Sequence, residues 1–383
     1  MTVRLKSPAK VKSLVALLLP WFAANARDLP WRRTHDPYAI WVSEIMLQQT
    51  QVKTVIPFWE RWLRELPTIE AAAQAPSAKI HKLWEGLGYY TRVRNLQKAA
   101  QTILERHGGV FPQTFDEVLA LPGIGRYTAG AICSIAFNQP TPILDGNVIR
   151  VLTRVFGIAE NPKEKEANAR LWKLAEALVN EAEKLGTRGN QSSTVITPVF
   201  HWENKACSAL NQSLMELGAL ICTPRTPQCL ICPIKGICTA FKENRTAELP
   251  NLGERQVATA RHFIAFVVER DGKFLMRQRP KGVVNAHLWE FPNLETNDAK
   301  SDKAAVAKQF FGIAPAKLEH LRTVKHSITR YRITLNAYSA TFNKKPPQAE
   351  GVWKSPAQMR QLAFTAAHKR LASFAANRIL SGR

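Results

Sequence analysis

Four cysteines near the middle of the chain constrain its fold more than any other feature. They follow the spacing C-x6-C-x2-C-x5-C, at Cys222, Cys229, Cys232 and Cys238. Four thiolates from one short loop can enclose a metal centre, and the Pro, Arg, Lys and Gln residues between them offer no core to fill. A structural zinc site usually has two pairs of closely spaced ligands, whereas only one of the three gaps between these cysteines is that short. Disulfides require an oxidising compartment and are typical of smaller, cysteine-dense chains. The spacing therefore favours an iron–sulfur cluster, and we expect a [4Fe–4S] centre on these four side chains.

The charge of the chain predicts its partner. Lys and Arg outnumber Asp and Glu by 53 to 30 in 383 residues, a net charge of +23. Such a surplus indicates a polyanionic partner, most simply nucleic acid. The stretch Lys10–Ala26 has some features of a signal peptide, but Pro20 and Trp21 interrupt its apolar run, and an amphipathic helix explains it equally well. No run approaches transmembrane length. We therefore expect no signal peptide, no membrane partner and a cytoplasmic, nucleoid-associated protein.

Apolar periodicity divides the chain into two domains. Residues 1–240 have apolar positions at helical spacing, for example through Tyr38–Trp62, and this predicts a mainly α domain. Within it, residues 187–206 are rich in Ser, Thr, Asn and Gly without periodicity, which indicates a surface loop or a partly disordered insertion. Residues 241–258 are polar, and we expect them to form a linker between the two domains. Strand-like alternation with turn signals then predicts an α+β domain over 259–383.

A glycine-containing turn lies between two predicted helices at Leu121–Gly125. Gly123 and Gly125 let the backbone turn sharply and bring bare N–H groups to a phosphate, as in a helix-hairpin-helix that grips the DNA backbone. An ordinary tight helical hairpin is the alternative, because short glycine motifs arise by chance. Twenty residues later, Asp145 precedes the apolar helix Val148–Phe156, where helix capping is its simplest role.

In this order, the hairpin, Asp145 and the cysteine loop resemble the endonuclease III superfamily of DNA base-excision glycosylases. Within that superfamily, the segments Trp41–Thr50 (WVSEIMLQQT) and Trp84–Tyr90 (WEGLGYY) are similar to the adenine DNA glycosylases, which remove adenine mispaired with 8-oxoguanine. The match is dense over residues 25–186 and again over 207–240. Motifs of this length are specific.

The resemblance implies an architecture and a substrate. Residues 1–240 are expected to form a mainly α helix-hairpin-helix glycosylase domain with the cluster loop at 222–238. Residues 259–383 are expected to form an α+β Nudix-like domain that recognises 8-oxoguanine. Gly282–Pro292 is similar to part of a Nudix pattern, but the carboxylate-rich helix that holds magnesium is missing, so pyrophosphohydrolase activity is not expected. The implied partner is double-stranded DNA with A:8-oxoguanine or A:G mispairs, bound by a monomer.

The catalytic roles of two carboxyl residues can also be argued from the chemistry of the reaction. Cleavage of an N-glycosidic bond resembles glycoside hydrolysis, in which two carboxyls divide the work around an oxocarbenium-like sugar. Glu44 stands in an apolar helix, where burial raises a carboxyl pKa and suits it to be the acid. A helix-surface carboxylate is the simpler alternative. By resemblance, Glu44 protonates the adenine ring, Asp145 stabilises or transiently captures the sugar, and Tyr127 and Asn147 orient the two carboxyls.

The resemblance also assigns pocket and DNA contacts. Adenine must leave the duplex before it can react. We therefore expect specific side chains to line a pocket for the adenine. We also expect two wedge residues, Gln49 and Tyr89, to fill the gap that the adenine leaves in the base stack. Trp31 of the pocket set is equally suited to the core. In the family a Phe-Ser-His segment contacts the lesion, and Ile328-Thr329-Arg330 is aligned with it here. The implied pocket residues are Arg27, Leu29, Trp31, Arg32, Leu47, Val52 and Gln212. The implied DNA contacts are Gln48, Gln49, Tyr89, Gly123, Gly125, Thr329 and Arg330.

Tyr127 decides between two subfamilies. Bifunctional relatives carry a nucleophilic lysine at this position, which forms a Schiff base and then cuts the strand. A phenol cannot form that imine, so we expect a monofunctional glycosylase that leaves an abasic site. The alternatives are a bifunctional glycosylase-lyase for oxidised pyrimidines and a non-catalytic iron–sulfur protein that binds DNA or senses redox state. Tyr127 and the C-terminal domain argue against the first, and Glu44 with Asp145 against the second.

Overall fold

The chain is seen in a computed structural model that describes residues 8–189, 205–254, 257–298, 301–328, 330–344 and 350–381. Residues 190–204 of the expected loop insertion lie outside the described residues, but residues 187–189 and 206 are helical, so the loop prediction is wrong at both ends of that range. Thr329, among the expected DNA contacts, also lies outside the described residues. Two compact units are present. The first contains Met1–Gln74 and Asn95–Glu254, and the second contains Ala75–Arg94 and Arg255–Arg383.

The described residues before Thr259 form twelve α-helices: α1 (Pro8–Asn25), α2 (Pro37–Leu47), α3 (Val52–Glu65), α4 (Ile69–Gln74), α5 (Ser77–Leu83), α6 (Thr91–His107), α7 (Phe115–Leu119), α8 (Arg126–Phe137), α9 (Gly146–Phe156), α10 (Lys165–Gly189), α11 (Ala206–Leu220) and α12 (Thr239–Lys242). They belong to the first unit, except that α5 lies in the second unit and α6 runs from the second unit into the first. A short 3₁₀ turn at Pro30–Arg32 follows α1, and two more at Cys229–Ile231 and Lys235–Ile237 lie in the cysteine loop.

One core of the first unit forms where α11 packs against α1, α9 and α10. Leu18 of α1, Val151 of α9, Leu178 of α10 and Leu210 of α11 are all fully buried there. Burying such side chains stabilises the fold by about 1.5–3 kcal/mol each. Helix α1 continues through Pro20, because its apolar face is held in this core on both sides of the proline.

The described residues of the second unit form two sheets and several helices. In chain order after α12, the elements are β1 (Thr259–Val267), β2 (Glu269–Arg270), β3 (Lys273–Gln278), β4 (Trp289–Glu290), β5 (Asn293–Thr296), α13 (Lys303–Phe311), β6 (Lys317–Ile328), β7 (Tyr331–Thr341), β8 (Val352–Lys354), α14 (Pro356–Gln361) and α15 (Ala366–Ser381). Strand β1 pairs in parallel with β7 and antiparallel with β5, and β6 pairs antiparallel with β7, giving the order β5-β1-β7-β6. Strand β3 pairs antiparallel with β2, β4 and β8.

Alternate residues of β1 enter two different cores, as expected for a strand buried on both faces. Ala265 packs into a core that includes Leu371 of α15, whereas Phe266 packs into a core that includes Phe311 of α13. The main sheet therefore has a helix on each face. Among the described residues, no helix combines the length and the apolar character that crossing a membrane demands.

Candidate active site

Glu44 lies inside an almost wholly buried helix. Asp36 caps the N-terminus of α2 by accepting the backbone N–H groups of Tyr38 and Ala39, and every residue from Tyr38 to Met46 is buried. Glu44 itself is 5% exposed. Such a helix has no outer face for a carboxylate, so the helix-surface alternative is wrong and Glu44 is held among apolar neighbours.

The hydroxyl of Tyr127 donates a hydrogen bond of 2.9 Å to Glu44 Oε2. Burial raises the pKa of Glu44 to about 7, although the Tyr127 bond and the charge of Arg32 lower it. The negative charge of Asp145 raises it further. Glu44 is therefore a carboxyl that can hold its proton near neutral pH, which is the state a general acid needs.

Tyr127 is in the first turn of α8, directly after the glycine-containing turn. Its hydroxyl also lies 3.4 Å from the sulfur of Met215. Burial, together with the charges of Glu44 and Asp145, raises the pKa of Tyr127 well above its ordinary value. The phenol therefore remains neutral and keeps its proton for the bond to Glu44.

Asp145 caps helix α9, as the sequence suggested. Its Oδ1 accepts the backbone N–H of Val148 at 2.8 Å, and its Oδ2 accepts the side-chain N–H of Asn147 at 3.0 Å. Burial raises the pKa of Asp145 above its ordinary value, although these bonds and the charge of Arg150 lower it. Both oxygens are thus fixed in direction by neighbours on the same helix.

A chain of hydrogen bonds runs from Asp145 to the cysteine loop. Asn147, which donates to Asp145, accepts a bond of 2.8 Å from Arg150 Nη2. Arg150 in turn donates to the carbonyl oxygens of Cys222 at 2.7 Å and Gly218 at 2.8 Å. The first cysteine of the loop is therefore connected to the candidate catalytic carboxylate through two side chains.

A buried ion-pair network joins residues of the expected adenine pocket. Arg27 and Arg32 both bind Glu216 of α11, at 2.8 and 3.0 Å, and Arg32 Nε donates to Gln212 Oε1 at 3.0 Å. The hydrogen bonds from the two arginines outweigh burial and lower the pKa of Glu216 to about 2. Glu216 was missed in the sequence, although two pocket arginines require a counter-charge.

The remaining expected pocket residues lie on α2, on α3 and on the segment before α2. Leu29 and Trp31 are buried, and Trp31 packs edge-on against Trp59 with ring centroids 6.0 Å apart, as a core residue does. Leu47 ends α2 and Val52 begins α3, and both are half-buried. The four-residue connection between these helices carries Gln48 and Gln49.

The expected wedge residues have unusual backbone conformations. Gln49 has φ of +57° and Tyr89 has φ of +47°, in the left-handed region that non-glycine residues seldom adopt. Tyr89 is 42% exposed, and it belongs to the second unit. Gln48 is half-buried and its side chain lies 3.4 Å from the hydroxyl of Thr128.

The other expected DNA contacts differ in how their backbone is constrained. Gly123 has φ of +77°, and a Cβ there would lie 2.5 Å from Asn95, so only glycine fits. Gly125 caps α8, and a Cβ there would meet nothing within 4 Å. Arg330 is exposed and donates to the hydroxyl of Tyr331 at 3.1 Å.

The four cysteines line one pocket. Among the described residues, no group of three or more His, Cys, Asp or Glu side chains is arranged around a single metal ion. Burial raises the pKa of Cys232 to about 11, so bound iron would be what holds this side chain as a thiolate. Four sulfur donors spread around a pocket fit an iron–sulfur cluster, which is larger than one ion.

A fully buried arginine adds positive charge beside this pocket. Arg154 is 2% exposed, and its Nη1 lies 3.3 Å from the sulfur of Cys222. Its other bonds go to the backbone carbonyls of Leu249, Thr223 and Pro224. A cation among neutral carbonyls is stabilised by anionic thiolates, which is a further fit to the expected cluster.

Comparison with protein families gives three matches. The chain matches the HhH-GPD superfamily of base excision DNA repair proteins over residues 42–177 and the iron–sulfur binding domain of endonuclease III over 222–238. Residues 264–373 match the NUDIX domain. These matches confirm the expected helix-hairpin-helix fold, the cluster and the Nudix-like domain.

Individual proteins are similar over most of the chain. The adenine DNA glycosylase of Mus musculus is 34% identical over 395 residues, covering 88% of this chain and 72% of that protein. The adenine DNA glycosylase of Homo sapiens is 33% identical, with 88% and 69% covered. Among solved structures, a thermostable thymine-DNA glycosylase has a TM-score of 0.51 and 28% identity, covering 61% of this chain and 97% of that chain.

Proposed function

Because the chain belongs to the adenine DNA glycosylases, base excision repair enzymes that hydrolyse N-glycosyl bonds, we propose that it removes adenine paired with 8-oxoguanine or guanine. The proposed product is an abasic site in an uncut strand. The observation that carries the proposal is the buried Glu44, bonded to the Tyr127 hydroxyl and near Asp145.

Glu44 is the proposed general acid. Adenine is a poor leaving group until a ring nitrogen is protonated, and a carboxyl with a pKa near 7 can both hold and release a proton at neutral pH. The Tyr127 hydroxyl occupies Glu44 Oε2, which leaves Oε1 to face the base. General acids of this kind contribute about 10²–10⁴-fold to the rate.

Asp145 is the proposed partner of the sugar. As the bond to adenine breaks, positive charge develops on the deoxyribose, and a carboxylate next to it stabilises that charge or captures the sugar transiently. The bonds from Val148 N–H and Asn147 hold Asp145 in a single orientation. A fixed anion needs no reorganisation at the moment of reaction.

Tyr127 supports the monofunctional outcome. Its hydroxyl is committed to Glu44, and a neutral buried phenol cannot attack the sugar to form an imine. Because strand cleavage by elimination proceeds through that imine, the abasic site is left for other enzymes.

The proposed wedges enter the DNA stack while adenine is flipped. Gln49 and Tyr89 are the two candidates, and their positive φ angles are typical of strained residues held at functional sites. The flipped base would then be received near the network of Arg27, Arg32 and Gln212. That network is rigid because Glu216 binds both arginines.

The cluster has a structural role in this proposal. Cys222, Cys229, Cys232 and Cys238 would hold it, and its chemistry when bound is to cross-link the loop that follows α11. Arg150 then connects the loop to Asn147, so a well-formed loop keeps the Asp145 carboxylate in place.

The Nudix-like residues are proposed to read the opposite strand. Residues 259–383 form the proposed lesion-recognition domain, joined through 241–258 to the glycosylase domain at 1–240. Thr329 and Arg330 are the proposed contacts, with Thr329 offering a hydroxyl to the lesion. The protein is proposed to bind the mispaired duplex as a monomer.

Two experiments test the proposed function. Single-turnover excision of adenine opposite 8-oxoguanine, guanine and thymine should fall in that order, and equal rates would refute the specificity. Tyr127→Lys should form more borohydride-trapped enzyme–DNA adduct than the parent chain, because it supplies the missing amine. Equal trapping of both proteins would remove Tyr127 as the determinant of monofunctional chemistry.

A further inference from the structure

Glu85 is a buried carboxylate in the turn formed by residues 84–90. It is 7% exposed, and its Oε1 accepts the backbone N–H of Phe364 at 2.9 Å. Its Oε2 accepts Lys82 Nζ at 2.8 Å and Lys369 Nζ at 2.9 Å. Burial alone would raise the pKa of Glu85, but these bonds outweigh it and lower the pKa. Glu85 is therefore a charged group with all its partners in place.

Two of the three partners of Glu85, Phe364 and Lys369, belong to one segment, residues 362–369, which runs from the end of α14 into the first turn of α15. Lys82 Nζ also donates to the carbonyl of Leu362 at 2.8 Å, and the Tyr90 hydroxyl lies 3.4 Å from the carbonyl of Phe364. The segment is itself anchored, because the backbone N–H of Trp289 donates to the carbonyl of Ala363 at 2.8 Å. The 84–90 turn is thus bonded at several points to the Nudix-like part of the chain.

The same turn carries the proposed wedge in a constrained conformation. Gly86 and Gly88 have φ of +119° and +71°, and Tyr89 follows with φ of +47°. Arg92 Nη2 donates to the carbonyl of Gly88 at 3.1 Å, and its guanidinium lies 5.6 Å from the Tyr89 ring centroid. A non-glycine residue in the left-handed region persists only where its surroundings hold it.

We propose that Glu85 is a positioning residue that ties the 84–90 turn to the 362–369 segment, so that the Nudix-like part of the chain sets the conformation from which Tyr89 enters DNA. The inference rests on the proposed wedge role of Tyr89. It gives the C-terminal part of the chain a second task besides contacting the opposite base.

The variants that test this tie remove different parts of it, and Glu85→Ala also leaves the buried backbone N–H of Phe364 without this acceptor. Removing the Glu85 carboxylate leaves Lys82 and Lys369, whose side chains are 36% and 50% exposed and can turn to water. Glu85→Gln keeps an oxygen for the Phe364 N–H but replaces Oε2, the acceptor of both lysines, with an NH2 group, so the charge and that acceptor are both lost. Lys369→Met removes one cation and keeps the length of the side chain. Glu319→Ala, which breaks an exposed pair with Lys317 in the same unit, is the matched control.

The first measurement is hydrogen–deuterium exchange of the full chain without DNA. Amides of residues 86–92 should exchange about tenfold faster in Glu85→Ala, with smaller increases in Lys369→Met and Glu85→Gln, because local opening becomes easier. Glu319→Ala should leave these amides unchanged. Unchanged exchange in all three test variants would overturn the proposal, and this result does not depend on the wedge role.

The second measurement follows the wedge in DNA. The DNA substrates are duplexes with adenine opposite 8-oxoguanine, and each carries 2-aminopurine on one side or the other of the lesion. The fluorescence of 2-aminopurine reports the unstacking of bases when the protein binds. Glu85→Ala and Lys369→Met should lose most of the fluorescence change, as Tyr89→Ala should, and excise adenine about tenfold more slowly. The double variant Glu85→Ala/Tyr89→Ala should be no slower than Tyr89→Ala, because both act through one side chain.

The results of this second measurement distinguish the wedge role of Tyr89 from the positioning role of Glu85. A normal fluorescence change in Tyr89→Ala would refute the wedge role itself. A defective Tyr89→Ala beside normal Glu85→Ala and Lys369→Met would refute only the positioning role. Multiplying defects in the double variant would also refute it, since a general loss of stability acts independently of Tyr89.

Discussion

Glu44 combines burial with a hydrogen bond from Tyr127, and this combination makes its protonation state the variable on which the proposed catalysis depends. Glu44→Gln keeps the shape of the side chain but cannot donate an acidic proton, so single-turnover base release should slow by about 10²-fold or more. Mismatch binding should be retained. The rate of the parent chain should fall as pH rises above about 7, where Glu44 loses its proton. A nearly normal rate in the variant would remove Glu44 from the mechanism.

The same burial predicts a cost in stability. The pKa of Glu44 is raised from 4.5 to about 7, so stability is lost as pH rises from the lower value to the higher and stays constant above it. The full cost is on the order of 3 kcal/mol. Glu44→Gln should therefore have a higher free energy of unfolding than the parent at pH above about 7, and nearly the same one at pH below about 5. A difference that does not change with pH would show that Glu44 is not buried as a titrating acid.

Single residues also show where sequence reasoning succeeds and where it stops. Glu44 and Asp145 could be singled out because a carboxylate in an apolar helix and an Asp before a helix are visible patterns. Glu216 and Glu85 could not, since each is explained only by partners brought together in the fold. The capping role of Asp145 and its proposed catalytic role use the same geometry, so neither excludes the other.

At the scale of elements, the close approach of α11 to the start of α9 positions Asn147. A Cβ on Gly218 would lie 2.6 Å from the Cβ of Asn147. Gly218→Ala should therefore displace Asn147, slow base release and destabilise the fold by about 1–3 kcal/mol, as overpacking does. Gly236→Ala in the cluster loop is the control, because a Cβ there meets nothing within 4 Å. Equal single-turnover rates in both variants would contradict this role of Asn147.

The break between α2 and α3 shows why element boundaries are hard to predict. Apolar spacing continues through Tyr38–Trp62, and it suggests one helical stretch. The structure ends α2 at Leu47 and begins α3 at Val52, with Gln49 at positive φ between them. The polar residues Gln48 and Gln49, which are proposed DNA contacts, interrupt the helix here, and apolar periodicity alone does not reveal such a break. Conversely, α1 runs through Pro20 because tertiary burial outweighs the proline's disruption.

At the scale of the whole molecule, the net charge of +23 predicts how strongly binding depends on salt. A glycosylase that contacts several phosphates releases their counterions, so affinity for undamaged duplex should fall by about 10³-fold or more between about 50 and 200 mM salt. A plot of log affinity against log salt concentration should be linear. Binding that is insensitive to salt would mean that the basic surface does not face DNA.

The two-part architecture was predictable from the change in periodicity near residue 259, and the family matches agree with it. The assignment of Ala75–Arg94 to the same unit as the C-terminal residues was not predictable. Long-range contacts such as those of Glu85 leave no periodic trace in a sequence. Thr329, a proposed contact to the lesion, lies outside the described residues.

The central claim is that this chain hydrolyses the N-glycosyl bond of the mispaired adenine and leaves the DNA strand intact. The most direct test is an end-labelled duplex with adenine opposite 8-oxoguanine, incubated with excess protein and divided before and after treatment with alkali. The account predicts that free adenine appears and that strand breaks form only after alkali, in proportion to the adenine released. Breaks at the adenine site without alkali, or no release of adenine by protein whose cluster is intact, would contradict it.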